Sequence, residues 1–593
     1  MNVITKNKYL LLIIMIQGLL VFYAFGSFIL HADLYLFDPK YDGLKNYFTY
    51  YTYITDQLGK PFFHYNFMNY PFGDSVFFTD NTIILSALLK FFHVENHLPL
   101  YHHLFFISGF VLASIAMFFL LSSLIKNKLL IVTASVCLPW ITPQTMRIWY
   151  HFNLSFSFII ISYIYILLKT YKYRGQKINR KWIAIEFICL YLSGFFHIYY
   201  ILILSILGLT FNFFSILSNL QKKQIILGLI HCALIAISLL LFIQTITYFD
   251  IYHDLRAHSA GGYDWENWKF RLENLVMRNM WFKVPFIYNY THNIGYETHA
   301  YLGAFALYSI FLIPLYIYFK KQQKWESNKF LLLLMLSSLV LLSIAMGERC
   351  QITERNFTFT NYLNPFFYLH KITDWVTHFR CLGRFNWPFF ISFNVAMLFI
   401  CDRLLNIKKL RILIVIVGLL LVCDTYSVVD FNRNSPRFNS VFTEESMKKM
   451  KEVCEGIDAQ SYQAILYLPF FHVGSEVSEY IIDPDENGCV EAFQLSYLMH
   501  LPLMDCKMSR TPEKQAISIF EFVTTGKPDN YLSSKLNSKE ILIIVNNNLL
   551  EHGNKPTNED VLPKYYAQRT ILKSPKVKLI KSYGEYVIYS YAP

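Results

Sequence analysis

The chain has 593 residues, 54% of them hydrophobic and only 16% charged, which is far more apolar surface than one water-soluble core absorbs. Its formal net charge is +12, but Lys and Arg stand in short clusters between apolar runs rather than along one polar face, which argues against a nucleic-acid-binding protein. Much of the surface formed by 54 Phe and 43 Tyr then meets lipid and headgroups, while residues 425–593 have the composition of a soluble domain.

The first apolar span, residues 9–30, follows Lys6 and Lys8 and lacks a small-residue cleavage motif, so it reads as a retained helix and not a signal peptide. The long loop 31–81 comes next. From Asp42 onward, Leu44, Tyr47, Phe48, Tyr51, Ile54 and Leu58 recur at helical spacing, with Lys45, Asn46, Thr49, Thr52 and Asp56 on the other face. This predicts an amphipathic helix lying along the membrane surface. The run from Ile83 to Val94 is too short to span and lies on, or dips into, the same leaflet.

Spans near 103–124, 129–142 and 152–168 follow. The middle one is short for a hydrocarbon core of roughly 30 Å and contains Pro139, so it reads as tilted or broken. Residues 182–217 must be two helices with a turn near Ser193, Gly194 and His197, because one helix there would reverse every later charge cluster. Further spans, the last near 410–424, bring the total to about eleven. Lys126 and Lys128, the run Lys169 to Lys181, Lys222 and Lys223, Lys320, Lys321 and Lys324, and Arg403, Lys408, Lys409 and Arg411 mark every second connection as cytoplasmic. The N-terminus is then cytoplasmic. The loops 31–81, 248–298 and 347–385 and the tail 425–593 lie outside, in the periplasm or extracellular space of a bacterial inner membrane.

Within the tail, Ala464–Leu468 and Ile541–Val545 read as strands, Lys578–Ile580 and Tyr586–Tyr589 as a hairpin about Gly584, and Glu444–Glu455 as a helix. The expected fold is an α-helical polytopic membrane protein over 1–424 with a C-terminal soluble α/β domain over 425–593. Cys137, Cys189, Cys232 and Cys401 fall within spans; Cys350, Cys381, Cys454, Cys489 and Cys506 fall outside, where no spacing demands a disulfide or a metal. Asp250, His253, Asp254, His258, Asp264 and Glu266 share one loop, but their irregular spacing fits no ligand motif. There is no glycine-rich phosphate loop, HExxH or GxSxG, which argues against nucleotide hydrolysis, zinc proteolysis and serine hydrolase chemistry.

Short polar fragments recur at the expected outer ends of the spans. In chain order they are Asp38-Pro39 and Asp42-Gly43, Tyr70-Pro71-Phe72-Gly73-Asp74-Ser75 leading to Phe78-Thr79-Asp80, and Arg147 to His151. After these come His197-Ile198-Tyr199, Tyr296-Glu297 with Tyr301-Leu302-Gly303, and Arg380-Cys381-Leu382-Gly383-Arg384-Phe385. Their order and placement resemble the GT-C class of membrane glycosyltransferases, with closer likeness to bacterial multi-spanning families that include YfhO-like proteins. Leu468-Pro469-Phe470-Phe471-His472-Val473-Gly474 resembles the start of the soluble domain in the same bacterial families. The resemblance covers most of the membrane part. It implies a GT-C-like fold and transfer of a sugar from a polyprenyl-phosphate donor to a glycan, lipid or protein acceptor, in one inverting displacement. Some enzymes of this architecture need a divalent ion and others do not, so metal stays open.

Such a transfer needs a base for the acceptor proton and cationic donors for the departing phosphate. Asp42 is the first choice for the base, with Gly43 leaving room for a substrate; its bland alternative is a helix N-cap. Asp80 and Glu297 are the other acidic candidates, each with a structural alternative as a helix-start residue. Asp38 is a substrate contact or a turn former before Pro39. Arg147, His151, His197, Tyr199, Arg380 and Arg384 are the candidate binding groups, although an arginine at a membrane edge also snorkels and His197 also suits a backbone hydrogen bond. Two other functions remain open: a transporter or flippase of lipid-linked glycans, and a non-catalytic envelope assembly protein. The flippase expects charges deep in several spans and repeated halves, whereas Glu186 is the main intramembrane charge and no repeat is visible.

Overall fold

The fold is that of a computed structural model, which describes residues 3–56, 61–172, 180–256, 268–276, 296–322, 328–352, 357–474, 480–483, 485–556 and 558–593. His258, Asp264 and Glu266 lie outside the described residues. Among the described residues, eight helices are long and apolar enough to cross a membrane, or nine if one bent pair is a single span. The chain runs through α1 (Val3–Leu30), α2 (Tyr41–Thr55), α3 (Ile83–Phe91), α4 (Leu98–Leu121), α5 (Lys128–Ile141), α6 (Ser157–Lys172), α7 (Arg180–Phe196), α8 (Ile198–Ser218) and α9 (Lys222–Phe249). It continues through α10 (Ala304–Ser309), α11 (Ile313–Gln322), α12 (Lys329–Ala345), α13 (Pro365–Leu369), α14 (Trp387–Leu404) and α15 (Arg411–Arg433), which extends past residue 424, and then enters the tail with α16 (Lys448–Cys454).

Two interruptions position the site. Pro139 removes one helical N–H inside α5, and the chain bends by 47° into the tight helical segment Pro143–Trp149. Between α7 and α8 the break falls on His197, whose backbone is extended and whose Nδ1 accepts the Tyr199 N–H at 3.2 Å, making it the N-cap of α8. Gly194 sits where α7 meets α9, and a Cβ there would come within 2.4 Å of the Phe242 ring.

The helix expected on the membrane surface is instead internal. On α2 every residue from Gly43 to Ile54 is buried, including the polar Lys45, Asn46, Thr49 and Thr52. The first loop and the segment after α5 cover the polar face, Lys45 bonding Asp80, Asn46 the Tyr150 carbonyl and Thr52 the Tyr65 hydroxyl, while the tail covers part of the apolar face. Phe48 stacks on Phe493 of α17 (Glu486–Met499) with ring centres 4.1 Å apart, and both belong to one apolar cluster with Leu44, Tyr65, Val453 and Ile465. By contrast, α3 leaves Leu88 and Phe91 exposed, as an element lying against lipid would.

The tail carries a four-stranded sheet. Tyr462–Leu468 runs parallel to Glu540–Asn546; Tyr586–Tyr591 pairs antiparallel with Glu540–Asn546 on its other side and with Val577–Tyr583 beyond. The parallel pair requires a crossover, and α17 and α18 (Glu513–Thr525) supply it, giving an α/β unit. The first loop is woven into this unit: Tyr70 N–H donates to the Leu503 carbonyl at 2.9 Å, Leu503 N–H to Phe67 at 3.0 Å, and Ser509 N–H to Phe78 at 3.1 Å. Gly73, at φ +67°, makes the turn between these contacts, and a Cβ there would lie 2.4 Å from the Tyr65 carbonyl oxygen. At the opposite end of the bundle the α4–α5 connection is held by Asp402, which accepts the Lys126 and Asn127 N–H groups at 3.1 and 2.7 Å.

Candidate functional site

The loops and the tail enclose a cavity of about 800 Å³ at one end of the helix bundle. One wall is apolar and includes Leu202 of α8, Ile243 of α9, and Phe366 and Phe379 from the segment before α14. The other wall is a row of alternating charges.

The row starts at Asp80, which accepts from Lys45 Nζ at 2.6 Å; the same ammonium lies 3.4 Å from Asp42. Asp42 Oδ2 is 3.8 Å from His151 Nε2, and that nitrogen is 3.1 Å from Glu297 Oε1. Glu297 ends the row against two guanidinium groups. Arg384 donates Nη2 and Nε to its two oxygens at 2.6 and 2.9 Å, and Arg147 lies 2.8 Å away.

Local structure explains each position. Asp42 and Lys45 are three residues apart on α2 and so share a face. Asp80 stands in a left-handed conformation just before α3, its carbonyl accepting from Asn153 Nδ2 at 2.8 Å. The bend after α5 brings Arg147 beneath the cavity and His151 into its wall. Gly383 lets Glu297 approach Arg384, since a Cβ there would lie 2.9 Å from the Glu297 carbonyl oxygen. The Arg384 guanidinium rests over the Tyr199 ring at 4.5 Å, and the Tyr199 hydroxyl accepts the Cys381 N–H at 3.0 Å.

Burial alone would raise these carboxyls, but neighbouring cations outweigh it. Lys45, His151 and Lys507 hold Asp42 below its ordinary 3.8; Lys45 and His151 do the same for Asp80; Arg147 and Arg384 hold Glu297 far below its usual range. His197 moves the other way, as burial and then Arg384 push its imidazole down to about 3. It is therefore neutral near pH 7, and with Nδ1 accepting from Tyr199 its proton is on Nε2, ready to donate.

Asp42, Asp80, Glu297, His151, His197, Tyr199, Arg380 and Arg384 line the one cavity, as a joint site requires. Asp42 and Asp80 are not caps: the N-cap of α2 is Lys40 and that of α3 is Thr82. Asp42 is 38% exposed, whereas Glu297 is 2% exposed with both oxygens engaged. Arg147 is buried against Glu297 and lies off the lining.

Two expectations are corrected. Asp38 is buried outside the cavity in an ion pair with Arg437 at 2.5 Å, so it contacts no substrate there. Gly43 leaves no room for a ligand either, because a Cβ on it would lie 2.2 Å from Asp38 Cβ; its space belongs to the preceding turn.

Sequence reasoning missed Lys45, Ser509 and Arg510. The first carried a visible signal in its three-residue spacing from Asp42. The other two come from the tail, Ser509 Oγ donating to Asp80 Oδ2 at 3.4 Å, and had no local signature.

Among the described residues no group of three His, Cys, Asp or Glu side chains is placed to hold a metal, and no disulfide links the cysteines. The acids at the cavity do not suit a divalent ion, because Lys45 Nζ already stands between Asp42 and Asp80.

The fold and the cavity define a multi-spanning membrane protein with a charged pocket where the helices meet a soluble α/β unit. The chain belongs to the family described as "Domain of unknown function (DUF6311)", whose family model matches residues 14–426. That match does not extend to the YfhO-like families named from the motifs. No curated protein matches the chain.

Solved structures similar in shape include the Archaeoglobus fulgidus oligosaccharyltransferase in complex with zinc and sulfate. It is 12% identical with a TM-score of 0.44, over 91% of this chain and 68% of that one. The same enzyme tethered to an acceptor peptide is 11% identical with a TM-score of 0.46, over 95% and 71%. Its complex with an inhibitory peptide and a dolichol-phosphate is 12% identical with a TM-score of 0.46, over the same shares. Likeness at this level assigns neither activity nor residues.

Proposed function

We propose that the protein is a GT-C-like glycosyltransferase that moves a sugar from a polyprenyl-phosphate donor to an envelope glycan, lipid or protein acceptor at the outer face of a bacterial inner membrane. In this reading residues 1–424 form the transmembrane unit, and residues 425–593 form a domain outside it that covers the site. The carrying observation is that one cavity joins an apolar wall on the spanning helices to a row of ionised groups. A ligand with a hydrocarbon tail and a phosphate head fits both walls; a soluble substrate needs only one.

Asp42 is the base. It is the most exposed acid of the row, and it is ionised. The acceptor hydroxyl attacks the anomeric carbon, its proton passes to the Asp42 carboxylate, and the carbon–oxygen bond to phosphate breaks with both electrons leaving on the lipid phosphate. One displacement inverts the centre. Arg384, Arg380 and the Nε2–H of neutral His197 receive the phosphate charge. Glu297 acts indirectly: with both oxygens held by cations, it fixes Arg384 and His151 in place. Lys45 neutralises the Asp42–Asp80 pair and takes the place a divalent ion would have.

The test is incubation of the purified protein with radiolabelled polyprenyl-phosphate sugars and envelope extract. Labelled acceptor is expected, at a rate unchanged by a chelator. Movement of the lipid across a vesicle bilayer without product would instead make it a flippase, and rescue of a chelated enzyme by a divalent ion would remove the assigned role of Lys45.

A further inference from the structure

At the opposite end of the bundle from the charged row lies a second cavity, of about 260 Å³, between the ends of α4, α6, α12 and α14. Among the described residues its lining includes three cationic side chains from three helices, Lys172, Lys329 and Arg403, and no carboxylate. Asp402, next to Arg403, is occupied elsewhere in accepting the N–H groups of the α4–α5 connection, and Glu326, three residues before Lys329, lies outside the described residues. The walls between the cations are apolar, formed by Leu124, Leu168, Phe330 and Phe399.

The cations are placed and not merely scattered. Lys172 Nζ donates to the Ser123 carbonyl at 2.9 Å, which fixes the side chain across the end of α4. Lys329 follows the N-cap Asn328 and reaches the Ser218 carbonyl at 3.4 Å. Arg403 lies over the Phe399 ring at 5.0 Å, and its Nε is buried without a hydrogen-bond partner among the described residues. Lysines and arginines near helix ends commonly answer the helix dipole or reach for headgroups singly. Here three from separate helices converge on one concave site, bounded by apolar side chains and with no acid among the described residues of its lining.

We propose that this cavity is a second binding site, for the phosphate group of an anionic lipid, separate from the transfer site and on the end whose basic clusters mark it as cytoplasmic. The phosphate sits among Lys172, Lys329 and Arg403, and the acyl chains leave along the apolar walls. Basic recesses between spanning helices on the cytoplasmic side have the chemistry to hold such headgroups, each cation contributing about 1 kcal/mol at the membrane surface, or roughly fivefold in affinity.

Native mass spectrometry of the full chain, equilibrated with equimolar phosphatidylglycerol and phosphatidylcholine, tests this. Wild type is expected to retain the anionic lipid preferentially, and the K172Q/K329Q/R403Q variant to lose that preference. Equal retention of the two lipids by wild type, or an unchanged preference in the variant, overturns the proposal. If the triple variant fails to fold, K172Q/K329Q serves, since both lysines are exposed; it is expected to lose more than half of the preference, and an unchanged preference again overturns it. R403K keeps the charge and is expected to keep the preference. Added inorganic phosphate separates the sources of the group: displacement of the lipid assigns the site to free phosphate, and persistence assigns it to the lipid.

Discussion

Glu297 shows how a carboxylate in a candidate site can be structural in effect. Four donor atoms on Arg147, His151 and Arg384 lie within 3.1 Å of its oxygens, and it is 2% exposed. Replacing it by Gln leaves buried guanidinium groups without their counter-charge, a change that costs about 3–5 kcal/mol. Glu297→Gln is therefore expected to lower the thermal midpoint in detergent markedly, and a variant melting with wild type would contradict its anchoring role. Asp80 carries a pH signature. Its carboxyl is held below 3.8 in the folded chain, so its stabilisation is complete above that pH and is lost as the pH falls toward the folded value. Asp80→Asn should thus lower the melting temperature at pH 7, with the difference beginning to shrink below pH 3.8 and most of it still present at pH 3; a difference that does not shrink at all as the pH is taken below 3.8 would show that its charge is not what matters. These pairings were only partly legible beforehand. That Asp42, Asp80, His151, His197 and Arg384 share one end of the bundle could be read from the alternation of basic loops, but Asp38 meets Arg437, 399 residues on, which no local pattern announces.

Among the elements, the helices were the most legible and α2 the least. Apolar runs bounded by lysines defined the spans, Pro139 foretold the bend after α5, and the charge alternation required the break that falls at His197. Periodicity also found α2, but it cannot say what covers a polar face. Here the first loop and the segment after α5 cover it and the tail packs on Leu44 and Phe48, turning a helix expected at a membrane surface into part of a shared core. The consequence is energetic coupling. Phe48→Ala removes a fully buried ring stacked on Phe493 and is expected to cost about 3–5 kcal/mol. Limited proteolysis should then release the tail at protease levels that leave wild type intact; equal resistance would mean that α2 and the tail are not one unit.

Seen as a whole, the molecule is a bundle of apolar helices with chemistry concentrated at both ends. At the end carrying the long loops, the tail closes a cavity through Val473, Met508, Ser509 and Arg510. Its strands were readable from the runs Ala464–Leu468 and Ile541–Val545, yet its contribution to the cavity was not, because those residues reach Asp80 only through backbone pairing with the first loop. Intramembrane charge, which a transport pathway would use, is locally satisfied in Glu186, whose carboxylate lies 2.6 Å from His231 Nδ1 and accepts from Tyr163 at 3.3 Å. In the proposed reading the chemistry belongs to the cavity and, within it, to Asp42. The decisive measurement is turnover of a labelled polyprenyl-phosphate sugar by wild type and by Asp42→Asn at matched folding, judged by gel filtration and melting. Loss of a positioned base predicts a fall of about 100-fold or more in the variant, and turnover equal to wild type would contradict the account.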